Sequence, residues 1–134
     1  MSRRVAREKA LQVLYEVEMG GSDIQEAFEN SNGELNLDPH SRKFAQVIAS
    51  GTWVQREEID RLIGKYTRRW KIERLAAIDR NILRLAVFEM TTQPDIPHEV
   101  SINEAVELAK KYSTDKAASF VNAILDGISK EIRL

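Results

Sequence analysis

Three arginines crowd the start of the chain, Arg3, Arg4 and Arg7, within SRRVAREKALQVLY. The planar guanidinium binds phosphate or carboxylate two hydrogen bonds at a time. The stretch has a helical period, and a helix N-terminus carries partial positive charge, so cations there cost the helix a little. Stepped at 100° per residue, Ala6, Ala10, Val13, Leu14 and Val17 form one apolar arc. Arg3 and Arg7 fall within that arc and Arg4 at its edge, while Glu8, Gln12 and Glu16 lie opposite. The arginines thus extend the apolar side of the helix. Two readings stay open: a frayed end whose arginines pair with surface carboxylates, or a clamp on phosphates.

A second candidate lies in STDKAASFVNAILD. Its apolar arc centres on Val121, Ile124 and Ile128, and Phe120 sits at the margin beside Lys116. That is either a core-edge ring or a platform on which a single-stranded base stacks, with Lys116 near the backbone. The third candidate is Asp79, in the middle of the apolar arc of IDRNILRLAVFEM. A carboxylate there needs a partner, supplied from within or by another chain. Nothing is placed beside it to make an acid–base pair.

These residues must be held by helices, because the hydrophobic period is helical throughout. The expected class is all-α, about seven helices in two packed three- or four-helix bundles, with sub-bundles of about 1–55 and 56–134. Helix one runs to about Met19, capped by Ser2 and stopped by Gly20-Gly21. SDIQ reads as a capping box for a short helix to about Asn30. Asp38-Pro39 opens a third helix through Val54, with Gly51 marking a bend or a close approach. REEIDRLIGKY is a fourth helix and TRRWK a basic connector. IERLAAIDRNILRLAVFEM reads as one long central helix. SINE, Ser101 to Glu104, reads as the capping box of a sixth helix to Tyr112. The last helix starts near Thr114 or Asp115.

The 134 residues suit one domain, with a hydrophobic fraction of 43% and a net charge of −1. Charge is sorted along the chain. Arg3, Arg4, Arg7 and Lys9 face only Glu8 before Tyr15. Glu16, Glu18, Asp23, Glu26, Glu29, Glu34 and Asp38 follow with no base among them. A second basic run comprises Lys65, Arg68, Arg69, Lys71 and Arg74. Patches of this kind are what a polyanion senses. With no cysteine there is no disulfide, thiolate metal site or cysteine nucleophile, which fits a cytoplasmic setting. No apolar run reaches the ~20 residues of a membrane span. His40 and His98 lack metal-ligand spacing, and no phosphate loop, dinucleotide fingerprint or nucleophile elbow occurs. The expectation is therefore no catalytic residue, no cofactor and no metal.

Four segments occur in order: RRVAREKALQVLY, IDRNILRLAVFE, VSINEAVELAKKY and FVNAILDGI. Together they resemble the NusB family of bacterial transcription antitermination factors, over essentially the whole chain. The resemblance implies an all-helical fold, binding of single-stranded boxA RNA in nascent ribosomal transcripts, and pairing with the ribosomal protein NusE. RNA polymerase and the other Nus factors would be reached indirectly. It implies RNA contact at Arg3, Arg4, Arg7 and Phe120, and a protein-partner surface at Asp79, extended to Tyr66, Glu73 and Arg80. Two positions depart from the family. Ala123 replaces the usual glycine of Val-Asn-Gly, and Lys116 stands where an acid is frequent. The RNA role of Lys116 is thus read from its charge. Two other readings remain: an accessory domain of ribosomal-RNA modification, and a purely protein-binding adaptor. Self-association through the partner face, as a homodimer, is also left open.

Overall fold

The computed structural model describes residues 3–30, 37–67 and 71–133. Among them the chain forms seven α-helices and one 3-10 turn. They are α1 (Arg3–Gly20), α2 (Ile24–Asn30), α3 (Pro39–Val54), α4 (Arg56–Thr67), the turn Ile72–Arg74, α5 (Ala77–Thr92), α6 (His98–Tyr112) and α7 (Asp115–Ile132). The all-α expectation holds.

The local signals act much as expected at several ends. Gly21, at φ 74°, takes the left-handed conformation that ends α1, and its N–H donates to the Val17 carbonyl at 3.0 Å. Asp38 caps α3 by accepting from the Ser41 N–H at 2.7 Å, with Pro39 in the first turn. Thr114 caps α7 by accepting from the Ala117 N–H at 2.9 Å. The expected cap at Ser2 and most of the connector TRRWK lie outside the described residues.

Three boundaries differ from the sequence reading. Asp23, one residue after Ser22, caps α2 by accepting from the N–H groups of Gln25 and Glu26 at 3.1 and 3.4 Å. The SINE segment is no capping box: α6 starts at His98, directly after Pro97, and Ser101 is buried inside it. The central helix starts at Ala77, not at Ile72. Leu75 and Ala76 are extended there, and Arg80 Nη1 donates to the carbonyls of Ile72, Glu73 and Leu75 at 3.3, 3.4 and 2.8 Å. One side chain thus takes up acceptors that a continuous helix would have paired along its own backbone.

Helix α5 is the centre of the molecule. Every residue from Asn81 to Met90 is buried, and α1, α3, α4, α6 and α7 all pack on it. A stretch buried all round must satisfy the polar side chains within it. Asn81, Arg84 and Glu89 each do so. Helices α1 and α3 pack together, and both carry fully buried alanines four residues apart, Ala6/Ala10 and Ala45/Ala49. Gly51 of α3 lets that helix approach α5 closely: a Cβ there would stand 2.1 Å from the Phe88 ring. One apolar core runs through all these helices, from Ala6 to Ile128.

Candidate nucleic-acid and partner interface

The three N-terminal arginines do not share one fate. Arg3 is about half exposed, with its guanidinium 4.6 Å from the centre of the Phe44 ring and 3.6 Å from Asp95. Arg4 is 61% exposed and grips Glu104 with both arms of its fork, Nε to Oε1 at 2.9 Å and Nη2 to Oε2 at 2.7 Å. Arg7 is different. Its side chain is 5% exposed, and its Nε and Nη2 donate to Glu89 of α5 at 2.7 and 2.8 Å. Ser101 Oγ donates to the same carboxylate at 3.1 Å. The helical wheel, which put Arg7 within the apolar arc, therefore marked a buried residue. The expected surface clamp at Arg7 is not presented, because α5 supplies a buried acid that the wheel of α1 alone cannot show.

The remaining nitrogen of Arg7, Nη1, lies 3.8 Å from Glu104. Glu104 thus stands between two guanidinium groups. Hydrogen bonds from Arg4, against the pull of burial, hold its carboxyl below the usual carboxylate range. Arg4 also lines a groove of about 260 Å³ between α1 and α6, together with Glu8, Glu104 and Lys111. Lys111 pairs with Glu8, which also accepts from the Tyr112 hydroxyl at 3.2 Å. The sequence reading missed Phe44, Glu104 and Lys111. Lys111 was signalled only as a base in the last turn of a helix, where bases are common for helix stability alone.

The second site lies at the N-terminal ends of α5 and α7. A groove of about 290 Å³, mostly apolar, is lined by Arg74, Leu75, Asp79, Thr114, Lys116 and Phe120 among others. Phe120 is half-buried and Lys116 exposed. Residues nominated separately, Lys116 and Phe120 for RNA and Asp79 for a protein, therefore share one groove. Asp79 Oδ1 is buried and accepts no hydrogen bond. The two grooves take residues close in sequence: Lys111, near the end of α6, lines the first, and Thr114, the cap of α7, the second.

The other nominated partner residues lie elsewhere. Arg80 is spent internally, on the turn carbonyls and on Glu18 at 3.1 Å, with its side chain 11% exposed. The expectation that it faces a partner fails for that reason; it braces the turn that carries Leu75 into the groove wall. Glu73 is exposed beside this network. Tyr66 packs its ring over Gly127 and donates its hydroxyl to Glu131, at the meeting of α4 and α7. A partly buried network backs this region. Glu18 takes Arg80, Asn81 and Arg84, and Arg84 makes a two-armed contact with Asp60 at 2.8 Å on each arm. Burial alone would push Glu18 up, but Arg80 and Arg84 outweigh it and hold the carboxyl below its ordinary value. Among the described residues no cluster of His, Cys, Asp or Glu has a metal-binding arrangement.

Comparison with known proteins bears on the family and the fold. The NusB protein of Myxococcus xanthus is 42% identical over 132 residues, covering 96% of this chain and 94% of that one. The solved structure of T. maritima NusB superposes with a TM-score of 0.91 at 36% identity, covering 98% and 92% of the two chains. A structure of antitermination factors NusB and NusE in complex with double-stranded RNA superposes at 0.85, with 32% identity and 96% coverage of each. The sequence model of the NusB family matches residues 4–130, and the chain belongs to that family.

Proposed function

We propose that this chain is a transcription antitermination factor that binds boxA RNA jointly with the ribosomal protein NusE, and through that pair joins RNA polymerase and the other Nus factors. The observation that carries the reading is the groove at the ends of α5 and α7. It offers a cation and an aromatic face, Lys116 and Phe120, beside an acceptor with an unmet hydrogen bond, Asp79. A buried oxygen without a donor is costly, and a donor from a docked protein would remove that cost. The half-buried Phe120 ring suits stacking by an unpaired base, and Arg3, Arg4 and Lys116 suit phosphates.

The work is scaffolding and not catalysis, in the cytoplasm where transcripts emerge. No helix among the described residues is long and apolar enough to cross a membrane. We read the sub-bundles of about 1–55 and 56–134 as carrying the arginine end and the Asp79 groove respectively. Exposed Glu73 belongs with the partner surface, and Tyr66 supports it from α4.

Fluorescence anisotropy with a labelled boxA oligonucleotide, with and without NusE, tests the reading. NusE is expected to raise RNA affinity about tenfold, and by reciprocity RNA should raise NusE affinity equally. Lys116→Ala should take about 0.7 off the slope of log affinity against log salt. Phe120→Ala should weaken RNA binding by about 1–3 kcal/mol and leave that slope unchanged. Absence of any enhancement by NusE would overturn the joint-binding reading. A duplex control separates single-strand from duplex preference.

A further inference from the structure

We propose that Arg7 is a positioning residue for RNA binding, acting through Glu104 on Arg4, and makes no phosphate contact itself. The inference rests on the RNA-binding reading above and assigns Arg7 a place within it.

Burial comes first. The Arg7 side chain is 5% exposed and its Glu89 partner 2%. The Nε and Nη2 edge of the fork is spent on Glu89. A phosphate would have to displace a buried carboxylate that Ser101 also holds. Leaving that acid without its cation is strongly unfavourable.

Geometry comes second. The Nη1 arm of Arg7 points to Glu104, at 3.8 Å. Glu104, 15% exposed, turns both of its oxygens to Arg4. The order Glu89, Arg7, Glu104, Arg4 therefore runs from the buried centre of α5 to the surface in alternating charge. Each arginine meets a carboxylate through a planar two-armed contact, which fixes orientation as well as distance. A long surface side chain normally loses rotamer freedom when it meets a ligand. Arg4 has surrendered part of that freedom beforehand, and preorganisation of this kind favours binding.

The test uses the full chain and a fluorescein-labelled single-stranded boxA oligonucleotide at several salt concentrations. The variants are Arg4→Ala, Arg7→Lys and the double, each checked for folding by thermal melting. Arg4→Ala should lower affinity about tenfold and take about 0.7 off the salt slope, one single-strand phosphate contact. Arg7→Lys should lower affinity about threefold, keep the parental slope, and add nothing once Arg4 is gone. A slope flattened by Arg7→Lys would make Arg7 a direct contact and overturn the proposal. Full additivity in the double variant would reduce its effect to general destabilisation and overturn it as well. If Arg4→Ala matches the parent in affinity and slope, the RNA reading of this end falls, and the inference falls with it. Glu104→Gln cuts the same link without touching the buried pair. Hydrogen exchange at Arg4 Nε–H, followed by ¹⁵N NMR, should quicken in that variant; unchanged exchange would sink the proposal even if Arg7→Lys does not fold.

Discussion

The guanidinium of Arg7 meets the carboxylate of Glu89 edge to edge, at 2.7 and 2.8 Å, between the first helix and the central one. Breaking such a pair on one side strands a buried charge. Arg7→Ala is therefore expected to cost about 3–5 kcal/mol in urea unfolding. The double change Arg7→Met with Glu89→Leu, which removes both charges and keeps the volume, should recover most of that loss. A double variant no better than Arg7→Ala would mean that the seam depends on packing shape instead of charge.

Gly51 and Phe88 make a second test, because the ring occupies the space a Cβ would need. Gly51→Ala should destabilise by about 1–3 kcal/mol through overpacking. Pairing it with Phe88→Leu should return part of the loss. Gly64, on α4, has nothing within 4 Å of a built Cβ. Gly64→Ala should therefore stabilise by about 0.5–1 kcal/mol, the helix propensity of alanine over glycine. Denaturant midpoints for the two variants should move in opposite directions.

Glu18 makes the fold sensitive to acid. Its carboxyl is held below the ordinary value by Arg80 and Arg84 against burial, and Glu104 is likewise held down by Arg4. A depressed folded value means the unfolded chain takes up the proton first. The stabilisation is complete above the ordinary carboxylate range, about 4.3 for glutamate, and is lost as pH falls through the folded value. Glu18→Gln should cost about 1–3 kcal/mol at pH 7. The gap between parent and variant should close as the pH is lowered below about 4. Urea unfolding at stepped pH reads this directly, and a gap that stays constant would contradict it.

Asp79 separates binding from stability. Its Oδ1 accepts no hydrogen bond, so removing it breaks none. Asp79→Ala removes that unmet acceptor and should leave the fold at least as stable as the parent. The same change should lower NusE affinity about tenfold, measured by calorimetry. A large stability loss with intact NusE binding would give Asp79 a structural role.

The helical class, a count of about seven helices and most of their ends were legible in the amino-acid sequence. Those features rest on neighbours within a few residues: the 3.6-residue apolar period, Asp38 before Pro39, Thr114 before Ala117, and Gly21 in a left-handed turn. The family resemblance rested on the same local strings. The helical wheel even placed Arg7 and Asp79 on inward faces. It could not say what waited there. Glu89 stands 82 residues from Arg7, and Glu104 stands 100 from Arg4. Arg80 was readable as a cation beside Asp79, but its three carbonyl partners exist only once the chain breaks its helix at Leu75 and Ala76. Tertiary structure alone decided which arginines stay at the surface and which are buried braces. It also decided that Phe120, Lys116 and Asp79 share a groove. The physical reason is that a guanidinium goes where a carboxylate meets it, and such pairs form between helices, across distances in sequence that no local pattern records.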